Sequence, residues 1–194
     1  TIATGPSDAH TGARYAYCEV YEGRRGQTFG LGTPLIDQLD HPDLTLSFYY
    51  HMHGVGIGSM KVQRSTNRDF TQNVSDVTVN WNGGHAGILA GEQQTSSTDA
   101  WKLGQADLSS FYGTRYYLRF LYTAGMHIYG DAAIDKVSLS NTKVGASDMS
   151  DSGSFRLLDP SFDDHHQPRA MYTREEYTKR PVNIRNIEMT GSSK

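Results

Sequence analysis

The sequence predicts an all-β domain made of two packed antiparallel sheets. Three observations carry that prediction. Apolar and polar residues alternate through several short runs, the period of a half-buried strand. Twenty glycines and twelve tyrosines in 194 residues supply turns and aromatic strand positions. No segment before residue 145 has the spacing of an amphipathic helix, and short strands joined by long polar loops favour a sandwich.

Taken in order, residues 1–13 are turn-like. ARYAYCEVY, 13–21, reads as an alternating strand with one aromatic face, and EGRRGQTFGLG, 22–32, as a loop with two arginines. DLTLSFYYHMHG, 43–54, is the clearest strand, with Leu44, Leu46, Phe48 and Tyr50 on one face. Residues 58–65 continue in strand register through Met60 and Val62, and a hairpin with 44–53 is predicted across the Gly-rich turn. VSDVTVNW, 74–81, alternates again, while 83–98 is rich in Gly, Gln, Ser and Thr and reads as a long loop. AWKLGQADLSSFYG leads into TRYYLRFLYTA, 114–124, where Tyr116, Leu118, Phe120 and Tyr122 form one face. YGDAAIDKVSL, 129–139, closes the series. Its apolar Ala132, Ile134, Val137 and Leu139 enclose Asp131 and Asp135. A buried unpaired carboxylate is costly, so each must face solvent or meet something cationic.

The texture changes after Lys143. Residues 1–145 are read as the sandwich and 146–194 as a linker followed by an extended arm, or a connector to a following domain. The arm is charged, broken by proline and poor in apolar residues, with YTREEYTKR long enough for a helical turn or two, and it cannot form its own core. Ordering it costs roughly 1–2 kcal/mol per residue of backbone. Contacts with a neighbouring chain are therefore expected, in a homo- or hetero-oligomeric assembly. The opening TIATGPSDAHTG and the closing TGSSK read as the ends of a piece of a longer polypeptide.

Composition excludes several function classes. A formal net charge of -3 leaves no broad electrostatic footprint for nucleic acid. No run approaches 18 apolar residues, so no membrane-inserted helix is expected. HExxH, GxSxG and Walker patterns are absent, and the chain is read as non-enzymatic. Cys18, the one cysteine, cannot form an internal disulfide and lies in a strand run, where a small buried hydrophobe is its expected role.

Laid end to end, four segments resemble a MAM domain, the adhesion module of meprins, neuropilins and receptor tyrosine phosphatases. They are GPSDAHTGARYAYCEV, DLTLSFYYHMHGVGIGSMKV, TDAWKLGQADLSSFYGTRYYLRFLYTAG and YGDAAIDKVSL, together covering roughly residues 5–140. The resemblance implies a jelly-roll β-sandwich, and adhesion or recognition rather than catalysis. It also implies a cation, often Ca2+, held between the early Asp/Thr loop and the last strand. Carried over by position, the ligands are Asp8, Thr11, Glu19, Asp131 and Asp135, the hard oxygen donors calcium takes. Animal members usually carry disulfides, and the lone Cys18 departs from that pattern. The departure points to a bacterial, phage or viral representative, extracellular or on a virion surface, in a receptor-facing or decorating part of a particle.

The partner expected is a protein or glycan on a surface. Trp81, between Asn80 and Asn82, is a candidate sugar platform, and Arg24 and Arg25 are candidates for anionic groups. Trp101 is expected to pack under the sandwich. His51 and His53 share the strand face opposite Leu46, Phe48 and Tyr50, read as a solvated face over a zinc pair lacking a third ligand. A carbohydrate-binding module and a purely structural capsid or tail component stand as the alternative functions.

Overall fold

The computed structural model describes residues 4–20, 24–82, 84–141, 156–158 and 172–173. Its strands are β1 (Ala16–Cys18), β2 (Thr28–Gly32), β3 (Ile36–Asp37), β4 (Leu44–His53), β5 (Ser59–Ser65), β6 (Ser75–Val77), β7 (Asn80–Trp81), β8 (His85–Ala86), β9 (Leu89–Ala90), β10 (Lys102–Asp107), β11 (Arg115–Thr123), β12 (Asp131–Asn141), β13 (Arg156–Leu158) and β14 (Tyr172–Thr173). A single 3-10 turn, Ser109–Phe111, is the only helical element among the described residues. None of those residues forms a helix long and apolar enough to cross a membrane.

Two antiparallel sheets form a sandwich. The first runs β14-β1-β12-β4-β10-β7-β8 and the second β13-β2-β11-β5-β6, with β3 on β11 and β9 on β5. The core lies between them and follows strand parity. Leu44, Leu46, Phe48, Tyr50 and Met52 of β4 face Tyr116, Leu118, Phe120 and Tyr122 of β11, all buried. Full burial of each such side chain contributes roughly 1.5–3 kcal/mol. The Phe48 and Phe120 rings meet edge-on at 4.7 Å. Gly104 is the register partner of Phe48 on β10, and a Cβ there would occupy the space of the Phe48 ring.

Strand β12 answers the question its sequence raises. Ala132 and Ile134 face the core, as do Val137 and Leu139, although the two pairs have opposite parity. The register to β4 slips by one residue between Asp135↔Tyr49 and Ser138↔Ser47, and Lys136 takes φ +48°. This bulge inserts one extra residue and returns the later apolar pair to the inside. Asp131, Ala133 and Asp135 consequently face outward.

Several expectations are corrected. Residues 44–53 and 58–65 are both strands, but they do not pair as a hairpin. β4 lies between β12 and β10 in one sheet, and β5 between β11 and β6 in the other, so the Gly-rich link is a crossover between layers. The 74–81 run splits in the same way, β6 joining the second sheet and β7 the first. Residues 28–32, read as loop, form β2 against β11, and residues 102–107 form β10. Tyr172–Thr173, read as the start of a helical turn, pairs with β1. The expected boundary at residues 145–146 lies outside the described residues.

Candidate functional site

Strand β12 pairs with β1 through Ala16↔Ile134 and Cys18↔Ala132, which carries the early loop to the last long strand. At that edge Asp131 is buried. Its Oδ2 accepts the Thr4 hydroxyl at 2.6 Å and its Oδ1 accepts the Val20 N–H at 3.1 Å. Burial pushes its carboxyl above the ordinary range, against the pull of those two hydrogen bonds and of His53. Glu19, half-buried, is raised first by burial and then by the charge of Asp131, while Arg24 lowers it. The same burial and the Asp131 charge push the Cys18 thiol up, so it is a packed hydrophobe and not a reactive thiolate.

Asp135 belongs to a second neighbourhood. Its Oδ2 accepts the Thr11 N–H at 2.9 Å and its Oδ1 accepts the Lys136 N–H at 2.6 Å, fixing both the early loop and the bulge. Four residues of strand put roughly 13 Å between Asp131 and Asp135. Asp8 is exposed, accepts the Ser7 hydroxyl at 3.2 Å, and holds the Trp101 indole N–H on its carbonyl at 3.1 Å. The five carboxylate-loop residues thus divide into a Glu19–Asp131 pair and a Thr11–Asp135 contact, with Asp8 bound to Trp101. Among the described residues, no three His, Cys, Asp or Glu side chains form a group that could hold a metal ion.

Both tryptophans are packed, Trp81 in the core and Trp101 on the outer face of the first sheet. Trp81 is 2 % exposed, edge-on to Phe48 and Tyr50 at 5.4 and 5.1 Å, and its N–H donates to the Gly87 carbonyl at 2.7 Å. It is a core residue and not a sugar platform, because β7 turns it inward beside Val77 and Val79. Trp101 instead lies half-buried on the outer face of the first sheet, in an aromatic group with Tyr15, His10 and His51. His10 stacks on Tyr49 at 3.5 Å. His51 is fully buried there, contrary to the solvated face read from sequence. Neither of its ring nitrogens makes a hydrogen bond of good geometry. Burial first, and then neighbouring His53, lower its pKa to about 4.

Of the two arginines, Arg24 is also buried, its guanidinium 5.8 Å from the Phe29 ring. Facing inward beside Glu19, it is not placed to meet an anion at the surface. Arg25 is exposed, next to Gly26, whose N–H donates to the Gly125 carbonyl at 3.1 Å. This places it beside an end of the sandwich that the sequence reading missed. There the 54–58 crossover and the 124–130 loop lie backbone against backbone, with Gly125 N–H donating to the Gly56 carbonyl at 3.1 Å. A Cβ on Gly58 or Gly130 would overlap the facing backbone. Between the glycines, Val55 (75 % exposed), Met126 (70 %) and Tyr129 (42 %) point outward. The signal was present in GVGIG and TAGMHIYG, where closely spaced glycines mark close backbone approach.

The sequence model for the MAM domain, meprin/A5/mu, matches residues 1–143. It takes in both carboxylate neighbourhoods and the glycine-locked end. MAM domains are non-enzymatic adhesion and recognition modules. With the match spanning most of its length, this chain belongs to the MAM domain family.

Proposed function

We propose that the chain is an extracellular recognition module that engages a protein or glycan on a surface through the end formed by residues 54–58 and 124–130. The exposure of Val55, Met126 and Tyr129 on a backbone-locked loop pair carries this reading. Three large apolar side chains exposed on two loops joined by backbone hydrogen bonds suit a binding surface, and ordering lost before binding is not paid again on contact. Beads coated with the chain are expected to adhere to intact cells or to an immobilised glycan panel. Val55→Asp with Met126→Asp is expected to abolish adhesion while leaving the melting temperature unchanged. Undiminished adhesion by that variant would place recognition elsewhere.

Calcium enters this reading as a brace. Glu19 and Asp131 are the residues that would hold it, since each carboxylate oxygen has two lone pairs and those of Asp131 each have one hydrogen-bond donor assigned. Bound there, the cation would neutralise two carboxylates that burial pushes toward protonation, Glu19 further by the charge of Asp131. Backbone carbonyls and water would complete its shell. The lone cysteine supports placement in a receptor-facing or decorating part of a phage or virus particle. Assembly through the C-terminal arm is the oligomerisation route that goes with such a setting.

A further inference from the structure

The two sheets have unequal edges. On one side β6 and β7 are joined by only two residues, so the ends of both sheets lie together there. The β6 edge carries Asp76, ion-paired to Lys61 at 3.0 Å. A charged edge resists pairing with another strand. On the opposite side are β1, Ala-Tyr-Cys, and β2, Thr-Phe-Gly-Leu-Gly. Neither contains a charge, a proline or a bulge, the devices that blunt an edge.

Both of these unguarded edges are covered by backbone from the C-terminal region. β13 pairs antiparallel with β2 through Arg156↔Gly32, Leu157↔Leu31 and Leu158↔Gly30. β14 pairs antiparallel with β1 through Ala16↔Thr173 and Tyr17↔Tyr172. Residues 156–158 and 172–173 thus seat one on each layer of the sandwich, on the same side. The seats are three and two residues long, and they are made by main-chain hydrogen bonding, which any extended segment in register can supply.

We propose that the β1 and β2 edges form a strand-acceptor surface, and that in assembly it is filled by residues 156–158 and 172–173 of a second copy of this chain. The inference rests on the arm-mediated assembly proposed above and names its acceptor. The same backbone ladder forms whether the segment comes from its own chain or from a neighbour. Exchange therefore changes mainly the cost of closing the connection, and crowding of copies on a surface tips the balance.

The test uses the full chain and a variant with Arg156→Pro, Leu157→Pro, Tyr172→Pro and Thr173→Pro. Adjacent residues alternate in which one faces the partner strand, so paired prolines remove a ladder donor in either register. A labelled peptide of residues 152–176 is expected to bind the variant at least tenfold more tightly than the self-occupied native chain. Binding should slow amide exchange at residues 16–18 and 28–32, and a peptide carrying the four prolines should not bind. Light scattering over a concentration series should show the native chain dimerising and the variant remaining monomeric. Failure of the peptide to bind the variant, or binding without protection at those amides, overturns the acceptor. Dimers that persist in the variant overturn strand exchange while leaving assembly intact. A native chain that stays monomeric throughout removes both.

Discussion

The paired strands β4 and β12 have two faces that differ in kind. The inner face, Leu46, Phe48, Tyr50 and Met52 with Ala132 and Ile134, is apolar throughout and meets the opposite sheet. The outer face, Tyr49, His51 and His53 with Asp131 and Asp135, is polar in sequence but buried at one end. His51 and Asp131 lie beneath the N-terminal segment and the 92–101 connection. Gln94 fastens the latter to β4, accepting the Met52 N–H at 2.8 Å and donating to the Tyr50 carbonyl at 3.3 Å. The inner face is stabilised by area removed from water. The outer face is held by hydrogen bonds around groups whose charge burial disfavours, so only the second should respond to pH and ions.

The strongest challenge to this contrast is made on the inner face. Phe48→Ala removes a ring packed against Phe120 and Trp81 and leaves a cavity. It is expected to cost about 3–5 kcal/mol at any pH, read from urea midpoints. A loss below about 1 kcal/mol would mean that the two sheets are not packed as described.

On the outer face, His51 should make stability depend on pH. Its folded pKa of about 4 lies below the ordinary 6.5, so the unfolded chain binds the extra proton. Its contribution is complete above about pH 6.5 and is lost as pH falls toward 4, by up to about 3 kcal/mol. The titratable groups around it set the background: His53, Asp99 and the Glu92 carboxylate, 4.0 Å from His53. Urea midpoints for the native chain and His51→Leu, taken from pH 7.5 to 4.5, should show a shallower slope in the variant. Equal slopes would mean that the ring is not the group that titrates.

The smallest expected effect lies at the edge of that face. Calcium at ten times its Kd should stabilise the native chain by about 1.4 kcal/mol, read as a rise in melting temperature reversed by a chelator. Glu19→Gln should abolish the rise. A chain indifferent to calcium would leave Asp131 as a hydrogen-bonded clasp on Thr4 and Val20, with no ion involved.

How much of this was legible follows from the same contrast. Parity along 44–52 and 116–122 identifies the inner faces because one physical requirement, apolar burial, acts on every second residue. The β12 bulge was also written in the sequence, where apolar spacing shifts from Ala132 and Ile134 to Val137 and Leu139. Other features were hidden by tertiary context. Gly30 and Gly32 disguise β2 as a loop until β11 is laid beside it. Trp81 and Trp101 each stand next to polar residues, in or beside strands of the same sheet, and only the face onto which each points decides which one lies in the core. His51 reads as surface until Gln94 fastens a connection over it, a long-range event without a local signature. Sequence placed Asp131 and Asp135 on one face, and their four-residue spacing already sets them roughly 13 Å apart in a strand.

The glycines at the sandwich end have a further consequence. Because the path of both loops is set by main chain lying on main chain, shape and chemistry are separated there. In the recognition role proposed above, the side chains of Val55, Met126 and Tyr129 would contribute to what is recognised and little to how the loops are held. Replacements at these three positions can alter ligand preference without disturbing the frame, whereas a single methyl group added at Gly58 or Gly130 would force the frame open.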